Sequence, residues 1–128
     1  MSAKQIPLAE QLDRIPNKTR PIVKAAINTV KQVAPKADEI AYKSEPPRSK
    51  SAMWKIVRYA KDGANVVGIG TFSNYAAIFL YRGRELDDGS GLLQGSGKDS
   101  RFITLHTPSD AEKPFVKRLV RKAFKLAG

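Results

Sequence analysis

The stretch NVVGIGTFSNYAAIFLYRG, residues 65–83, decides the fold. It contains two runs rich in β-branched and aromatic residues, which the polar pair Ser73-Asn74 separates. Runs of this kind around a short polar break predict two antiparallel strands joined by a tight turn. Gly68 and Gly70 in the first run favour the close approach of a side chain or a second backbone to that strand.

Strand patterns also occur on both sides of this hairpin. The segment AMWKIVRYA, residues 52–60, is rich in β-branched and aromatic residues, and Asp62-Gly63 after it is a turn signal. The segments EIAYKSE (39–45) and RFITLHT (101–107) are shorter strand candidates. The long segment between Arg84 and Ser100 is predicted to be a loop. Together these patterns predict an antiparallel sheet of about five strands.

A first amphipathic helix precedes the strands. Apolar residues recur every three or four positions from Thr19 to Pro35, with Thr19 as the expected N-cap and Pro35 as the stop. We expect residues 1–17 to be an N-terminal arm with about one turn of helix at its end. Residues 18–128 are then a single domain.

A second amphipathic helix ends the chain, with an apolar stripe from Phe115 to Phe124. Ser109 and Glu112 have the spacing of a capping box, but Pro114 favours a helix that begins near Lys113. Each apolar stripe must be covered. We therefore expect an α+β fold in which the N-terminal and C-terminal helices pack on one face of the sheet.

Composition restricts the class of protein. Cysteine is absent, which excludes a disulfide framework, a thiolate zinc site and a cysteine nucleophile. No segment has the pattern of a signal peptide or the length of a membrane span, so we expect a cytoplasmic protein. The net charge of +11 favours an acidic partner, such as a nucleic acid or an acidic protein.

The positive charge is concentrated near the C-terminus, where residues 113–128 contain six cations and no carboxylate. If the apolar stripe of this helix lies on the sheet, a row of cations projects outward. The predicted basic surface consists of Lys113, Lys117, Arg121 and Lys125. The alternative is that these cations only keep the protein soluble and bind no partner.

The segment GLLQGSGKDSR, residues 91–101, looks like a phosphate-binding loop. A P-loop is excluded because five residues separate Gly91 from the next Gly-Lys pair, because Asp99 replaces the hydroxyl residue, and because a strand follows. A weaker anion site of converging backbone N–H groups and two cations remains. Its predicted residues are Gly95, Gly97, Lys98 and Arg101. The alternative is a loop with solvated cations.

Seven aromatic residues lie on or beside the predicted strands, and they are Trp54, Tyr59, Phe72, Tyr75, Phe79, Tyr81 and Phe102. Such a set could stack nucleic-acid bases, although packing in the core is the more common role. His106 is the single histidine, and no serine lies in a nucleophile-elbow pattern. We therefore predict no catalytic residue.

The segment from Phe72 to Thr107 resembles the central signature of the YdhG-like family, a domain of unknown function. The resemblance is carried by Phe79, Tyr81, Gly83, Leu86, Gly95, Gly97, Lys98 and Arg101, and earlier in the chain by Pro35, Glu39, Tyr42 and Pro46. It covers residues 20–126. Asn74-Tyr75 and Phe102 stand where the family often has histidine.

The resemblance implies a frataxin-like fold, and one member of the family is assigned as an intracellular iron chaperone. The candidate carboxylates for such a site are Glu85, Asp87 and Asp88. A frataxin-type iron site also uses carboxylates on the first helix, but residues 19–36 contain neither Asp nor Glu. We therefore expect no metal and no cofactor.

Three hypotheses follow for the function. The first is a non-enzymatic intracellular binding protein for an anionic partner or ligand. The second is the iron chaperone that the resemblance implies. The third is an enzyme that acts on a phosphorylated small molecule through Lys98 and Arg101. It has the least support, because no pair of nucleophile and base is visible.

Overall fold

The centre of the computed structural model is a sheet of five antiparallel strands in the order β1-β2-β3-β4-β5, as the sequence predicts. The structure describes residues 8–42, 48, 52–87, 91, 93–95 and 98–127. The strands are β1 (Asp38–Ala41), β2 (Trp54–Lys61), β3 (Ala64–Thr71), β4 (Ala76–Leu80) and β5 (Arg101–Leu105). The helices are α1 (Leu8–Arg14), α2 (Arg20–Val33), α3 (Gly83–Leu86), α4 (Pro108–Ala111) and α5 (Pro114–Leu126). Residues 43–45 of the first predicted strand lie outside the described residues.

Both predicted turns between neighbouring strands are confirmed. The N–H of Phe72 donates to the carbonyl of Tyr75 at 2.7 Å and closes the hairpin of β3 and β4. Between β2 and β3, Asp62 and Gly63 have φ angles of 51° and 83°. Positive φ at both central residues is what a two-residue turn of type I′ requires.

α2 and α5 share one hydrophobic core with one face of the sheet, which confirms the predicted α+β fold. Apolar side chains of the central strands point into this core, and the stripes of the two helices cover them. Fully buried core residues include Val67, Ile69, Ile78, Leu80, Val23, Val30, Val116 and Val120. Among the described helices, none is both long and apolar enough to cross a bilayer.

The predicted capping role of Thr19 is wrong. Its backbone is already helical, with φ −106° and ψ −16°, and its side chain makes no capping hydrogen bond. A cap needs extended backbone so that its oxygen can reach the first free N–H groups. Here the carbonyl of Pro16 accepts from the N–H groups of Thr19 and Arg20 at 3.1 and 3.0 Å, so a tight turn leads directly into α2.

Thr107, and not Ser109, caps the helical segment after β5. Its backbone is extended, and its hydroxyl accepts from the N–H of Asp110 at 3.3 Å. The Asp110 carboxylate accepts in return from the N–H groups of Thr107 and His106, at 3.2 and 2.9 Å. The predicted box of Ser109 and Glu112 is therefore wrong by two residues, because Ser109 already lies inside α4. The prediction of a helix start beside Pro114 is confirmed.

Asp110→Asn is expected to lower the free energy of unfolding by about 1 kcal/mol at pH 7, because it weakens the charge-assisted bonds of this box. The backbone N–H of His106 lowers the pKa of the Asp110 carboxyl, and Lys113 acts in the same direction. A carboxylate with a lowered pKa in the folded state stabilises the protein above its unfolded pKa of about 3.9. This contribution is lost as the pH falls through the folded pKa.

Urea unfolding of the wild type and Asp110→Asn at pH 7 and at about pH 3 measures this effect. The difference between the two proteins should shrink at the lower pH. Glu112→Gln removes the same charge from the carboxylate that the sequence had assigned to the box, and should change little at either pH. A loss in Asp110→Asn that stays constant between the two pH values would contradict the prediction.

Part of the predicted N-terminal arm packs onto the domain. Ile15 is fully buried in the core, and the side chain of Gln11 on α1 donates to the carbonyl of Tyr42 at 2.8 Å. A helix near Leu8 to Ile15 is thus confirmed, and it is longer than the predicted single turn. The boundary at residue 17 stays a prediction.

The predicted long loop after β4 begins with the short helix α3. The N–H of Arg84 donates to the carbonyl of Asp99 at 2.9 Å and ties α3 to the approach of β5. Gly83 makes this contact possible, since a Cβ at Gly83 would lie 2.7 Å from the backbone nitrogen of Arg101. Four helical residues carry too little periodicity to be predicted from sequence.

Candidate functional site

The surface of the sheet opposite α2 and α5, which we call the outer face, is rich in aromatic and cationic side chains. Strand alternation and the pairing register place on it Tyr42, Lys55, Arg58, Phe79, Tyr81, Phe102, Thr104 and His106. Trp54 and Tyr59 from the predicted aromatic set lie in the core instead, 5% and 1% exposed. The predicted aromatic residues therefore divide between the two faces.

Aromatic rings on the outer face form a connected group that comes from three strands, β1, β4 and β5. Phe79 on β4 lies opposite Phe102 on β5, and its ring centroid is 5.5 Å from that of Tyr81. The hydroxyls of Tyr42 and Tyr81 share a hydrogen bond, which links the end of β1 to the end of β4. Burial raises the pKa of Tyr81, and this hydrogen bond raises it further, so the phenol stays protonated and can donate.

Two cations lie against these rings. The guanidinium of Arg58 is 5.1 Å from the ring centroid of Tyr42. The ammonium of Lys55 lies 5.6 Å from the ring centroid of Phe79 and 5.9 Å from that of Tyr42. Arg58 also donates to the Asn65 amide oxygen at 3.1 Å. Cation–π contacts hold both positive charges beside the aromatic group.

A β-bulge explains why sequence reasoning missed this pair. Lys55 and Arg58 are three positions apart, which in a regular strand puts them on opposite faces. The pairing of β2 with β3 shifts between Lys55 and Val57, and the extra residue Ile56 is fully buried in the core. The shift returns Arg58 to the face of Lys55. The β-branched and aromatic composition of AMWKIVRYA signals a strand but not this irregularity.

A second aromatic group lies at the turn end of the outer face. The rings of Phe72 and Tyr75 stack with centroids 4.7 Å apart, and Tyr75 lies 5.3 Å from the imidazole of His106. Phe72 and Tyr75 are half-buried and His106 is exposed. Both groups therefore leave aromatic surface accessible to a ligand.

The predicted anion loop is fixed at one point to the edge of β5. Gln94 and Phe102 exchange two backbone hydrogen bonds of 2.8 and 2.9 Å, and the next residue, Gly95, has φ 111°. Lys98 is exposed, and Gly97 lies outside the described residues. Arg101 projects from the other side of β5, where its Nε is 3.6 Å from the Asp87 carboxylate.

Arg101 therefore already has an anionic partner, and its guanidinium also donates to the carbonyl of Ser100 at 2.7 Å. An anion at this loop has to compete with Asp87 for the same charge. The anion site at Gly95, Gly97, Lys98 and Arg101 stays a prediction.

The cations predicted on the C-terminal helix lie on α5 and at its start. Arg121 and Lys125 are exposed and Lys117 is half-exposed, whereas the ammonium of Lys113 pairs with the Asp110 carboxylate at 3.1 Å. In the part of the chain that the structure describes, no carboxylate forms an ion pair with Lys117, Arg121 or Lys125. Of the four predicted residues, Lys113 thus has a described ion-pair partner, and the other three have no described carboxylate in an ion pair with them.

The candidate carboxylates for iron are engaged by arginines. Arg82 donates to both oxygens of Glu85, at 2.6 and 2.8 Å, and this bonding lowers the pKa of Glu85. Asp87 pairs with Arg101, and Asp88 lies outside the described residues. Among the residues described, no three histidine, aspartate or glutamate side chains are grouped so that they could hold a metal ion.

Comparisons with known proteins give no relative for this chain: no family model, no curated protein and no solved structure matches it. The resemblance to the YdhG-like family, with its frataxin-like fold, therefore stays a prediction. Pro46, one of the residues that carry it, lies outside the described residues.

Proposed function

We propose that this chain is a non-enzymatic cytoplasmic binding domain for an anionic polymer, which it contacts through the outer face of its sheet. The observation that carries the proposal is the position of Lys55 and Arg58 over the rings of Phe79 and Tyr42. Side chains already held in place lose less conformational freedom when a ligand binds. The net charge of +11 adds attraction at longer range.

The local charge of the outer face supports the same proposal. Among the described strand residues that project from this face, Lys55 and Arg58 lie near its centre. The carboxylate among these residues is that of Asp38, at the start of β1. Lys55 is exposed and Arg58 is half-buried. A negatively charged chain that crosses the sheet near Phe79 therefore meets two positive charges on its path.

The row of Lys117, Arg121 and Lys125 on α5 is a second candidate surface. It lies on the other side of the molecule, because α5 covers the opposite face of the sheet. Cations without neighbouring aromatic rings are equally typical of a surface kept soluble by charge. The iron-chaperone alternative has less support, since Glu85 and Asp87 already pair with arginines.

Two variants with the same change in charge separate these surfaces. Lys55→Gln with Arg58→Gln neutralises the outer face, and Lys117→Gln with Arg121→Gln neutralises α5. Binding is measured by fluorescence anisotropy at low salt against labelled duplex DNA, single-stranded RNA and polyglutamate. Circular dichroism confirms that each variant is folded.

We expect the outer-face variant to bind the preferred polymer at least about tenfold more weakly, and the α5 variant to lose less than about threefold. For a single-stranded nucleic acid, loss of two phosphate contacts should also reduce the log–log salt slope by about 1.4. Equal losses in both variants would indicate a response to net charge alone. Binding of none of the three polymers at low salt would refute the proposal.

A further inference from the structure

We infer that the polymer on the outer face is a single-stranded nucleic acid whose bases stack on the aromatic side chains of β4 and β5. This inference rests on the proposed function and names its ligand. It is carried by the arrangement of the rings, by the position of the cations beside them, and by the width of the sheet.

The rings follow the direction of β4. Tyr75, Phe79 and Tyr81 lie four and two residues apart, so strand alternation places all three on the outer face, and they span roughly 20 Å in extended geometry. Phe102 adjoins this line as the cross-strand partner of Phe79. Successive bases of a single strand stack on such platforms without regard to sequence, because every base has an aromatic face.

Partial exposure distinguishes these rings from those in the core. Tyr75, Tyr81 and Phe102 are half-buried, while Trp54 and Tyr59 on the opposite face are 5% and 1% exposed. Phe79 is the most buried ring of the group, 7% exposed, and the tip of its ring lies against Gly68. Phe79 therefore supports the platform, and the three half-buried rings offer surface for stacking.

The cations lie where a sugar–phosphate backbone has to run. Lys55 and Arg58 are on β2, two strands away from β4, and their charges lie within 6 Å of ring centroids in the same group. A single-stranded nucleic acid whose bases cover β4 and β5 thus places its phosphates towards β2. Positive charge beside aromatic rings is the combination that single-strand-binding surfaces use.

The width of the sheet argues against duplex as the ligand of this face. Five strands about 4.8 Å apart span roughly 19 Å, whereas the major groove of DNA is about 12 Å wide. The bases of a duplex are stacked on each other and cannot reach rings on a surface wider than the groove. An acidic peptide, in turn, would be attracted to the two cations, but its carboxylates would gain no stacking contact from Tyr75, Tyr81 and Phe102.

The test compares four labelled probes: an unstructured RNA of about 12 nucleotides, an abasic strand with the same number of phosphates, a duplex of equal charge and polyglutamate. We expect the RNA to bind at least about tenfold more tightly than the abasic strand. Phe102→Leu and Tyr75→Leu should each weaken RNA binding about tenfold and leave binding of the abasic strand unchanged. Leucine keeps the apolar volume, and unfolding curves verify that each variant is stable.

Phe115→Leu is the matched control, because Phe115 is also half-buried but lies on α5 on the opposite side of the sheet. It should not alter RNA affinity. The stacking inference would be overturned if the RNA and the abasic strand bound with equal affinity. The proposed function would still stand in that case, provided that Lys55→Gln/Arg58→Gln still weakened binding. Preference for duplex or polyglutamate would overturn it as well. Binding of no probe would refute both.

Discussion

Replacing Gly83 by alanine is expected to lower the free energy of unfolding by about 3 kcal/mol, at the upper end of the usual cost of overpacking. An added Cβ would lie 2.5 Å from the Cβ of Arg101 and 2.7 Å from its backbone nitrogen. Atoms of the main chain cannot rotate away as the end of a side chain does. Arg101 is also fixed by its pairing with Leu80 in the sheet.

Relief of the clash therefore has to break structure at the start of β5. The nearest bond to fail is the one from the N–H of Arg84 to the carbonyl of Asp99. Chemical unfolding measured by tryptophan fluorescence and circular dichroism gives the loss, with Trp54 as the single tryptophan.

Gly63→Ala is the control for the effect of removing a glycine. Gly63 has φ 83° and nothing within 4 Å of an added Cβ, so alanine meets strain in the backbone but no clash. We expect a cost of about 1 kcal/mol, the usual penalty of a left-handed conformation. A Gly83→Ala protein as stable as Gly63→Ala would show that α3 does not approach β5 so closely.

Replacing Gly68 by alanine is expected to cost about 2 kcal/mol and to disturb the outer face. An added Cβ would lie 2.1 Å from the tip of the Phe79 ring, so the ring has to leave its position. The ring has neighbours at Tyr81 and Lys55 that restrict where it can go.

A double-mutant cycle identifies this contact. Gly68→Ala combined with Phe79→Ala should be less destabilised than the sum of the single variants, by about 1 kcal/mol, because the clash is absent without the ring. Gly70→Ala is the matched control on the same strand. The nearest atoms to its added Cβ belong to the flexible side chain of Met53, and we expect a smaller cost. Additive effects of Gly68→Ala and Phe79→Ala would contradict this account.

The hairpin and the two long helices could be predicted from sequence because local chemistry and burial agree there. Ser73-Asn74 and Asp62-Gly63 suit tight turns, and the apolar stripes of α2 and α5 have helical spacing. The caps were harder to place. Thr19 and Ser109 are good capping residues, but Thr19 is already helical and Ser109 lies inside α4. The backbone conformation decides which hydroxyl group caps a helix, and the amino-acid sequence alone does not determine that conformation.

The candidate site could be predicted only in part, for two physical reasons. The aromatic residues were visible, but their division between the faces depends on the pairing register. The place of Lys55 and Arg58 depends on a single extra residue, Ile56. The contact of Tyr42 with Tyr81 joins residues 39 positions apart, and no local pattern records it. The α5 cations, by contrast, follow directly from helical periodicity.

The two edges of the sheet bear on how the protein behaves at high concentration. A bare strand edge offers unpaired backbone groups to a strand from another molecule, which is how many proteins begin to aggregate. At the start of β5, both backbone groups of Phe102 already bond to Gln94. The other edge, β1, is four residues long and begins with the charged pair Asp38 and Glu39. Addition of a strand from another molecule is therefore hindered at Phe102 on one edge of the sheet and along the short, charged β1 on the other.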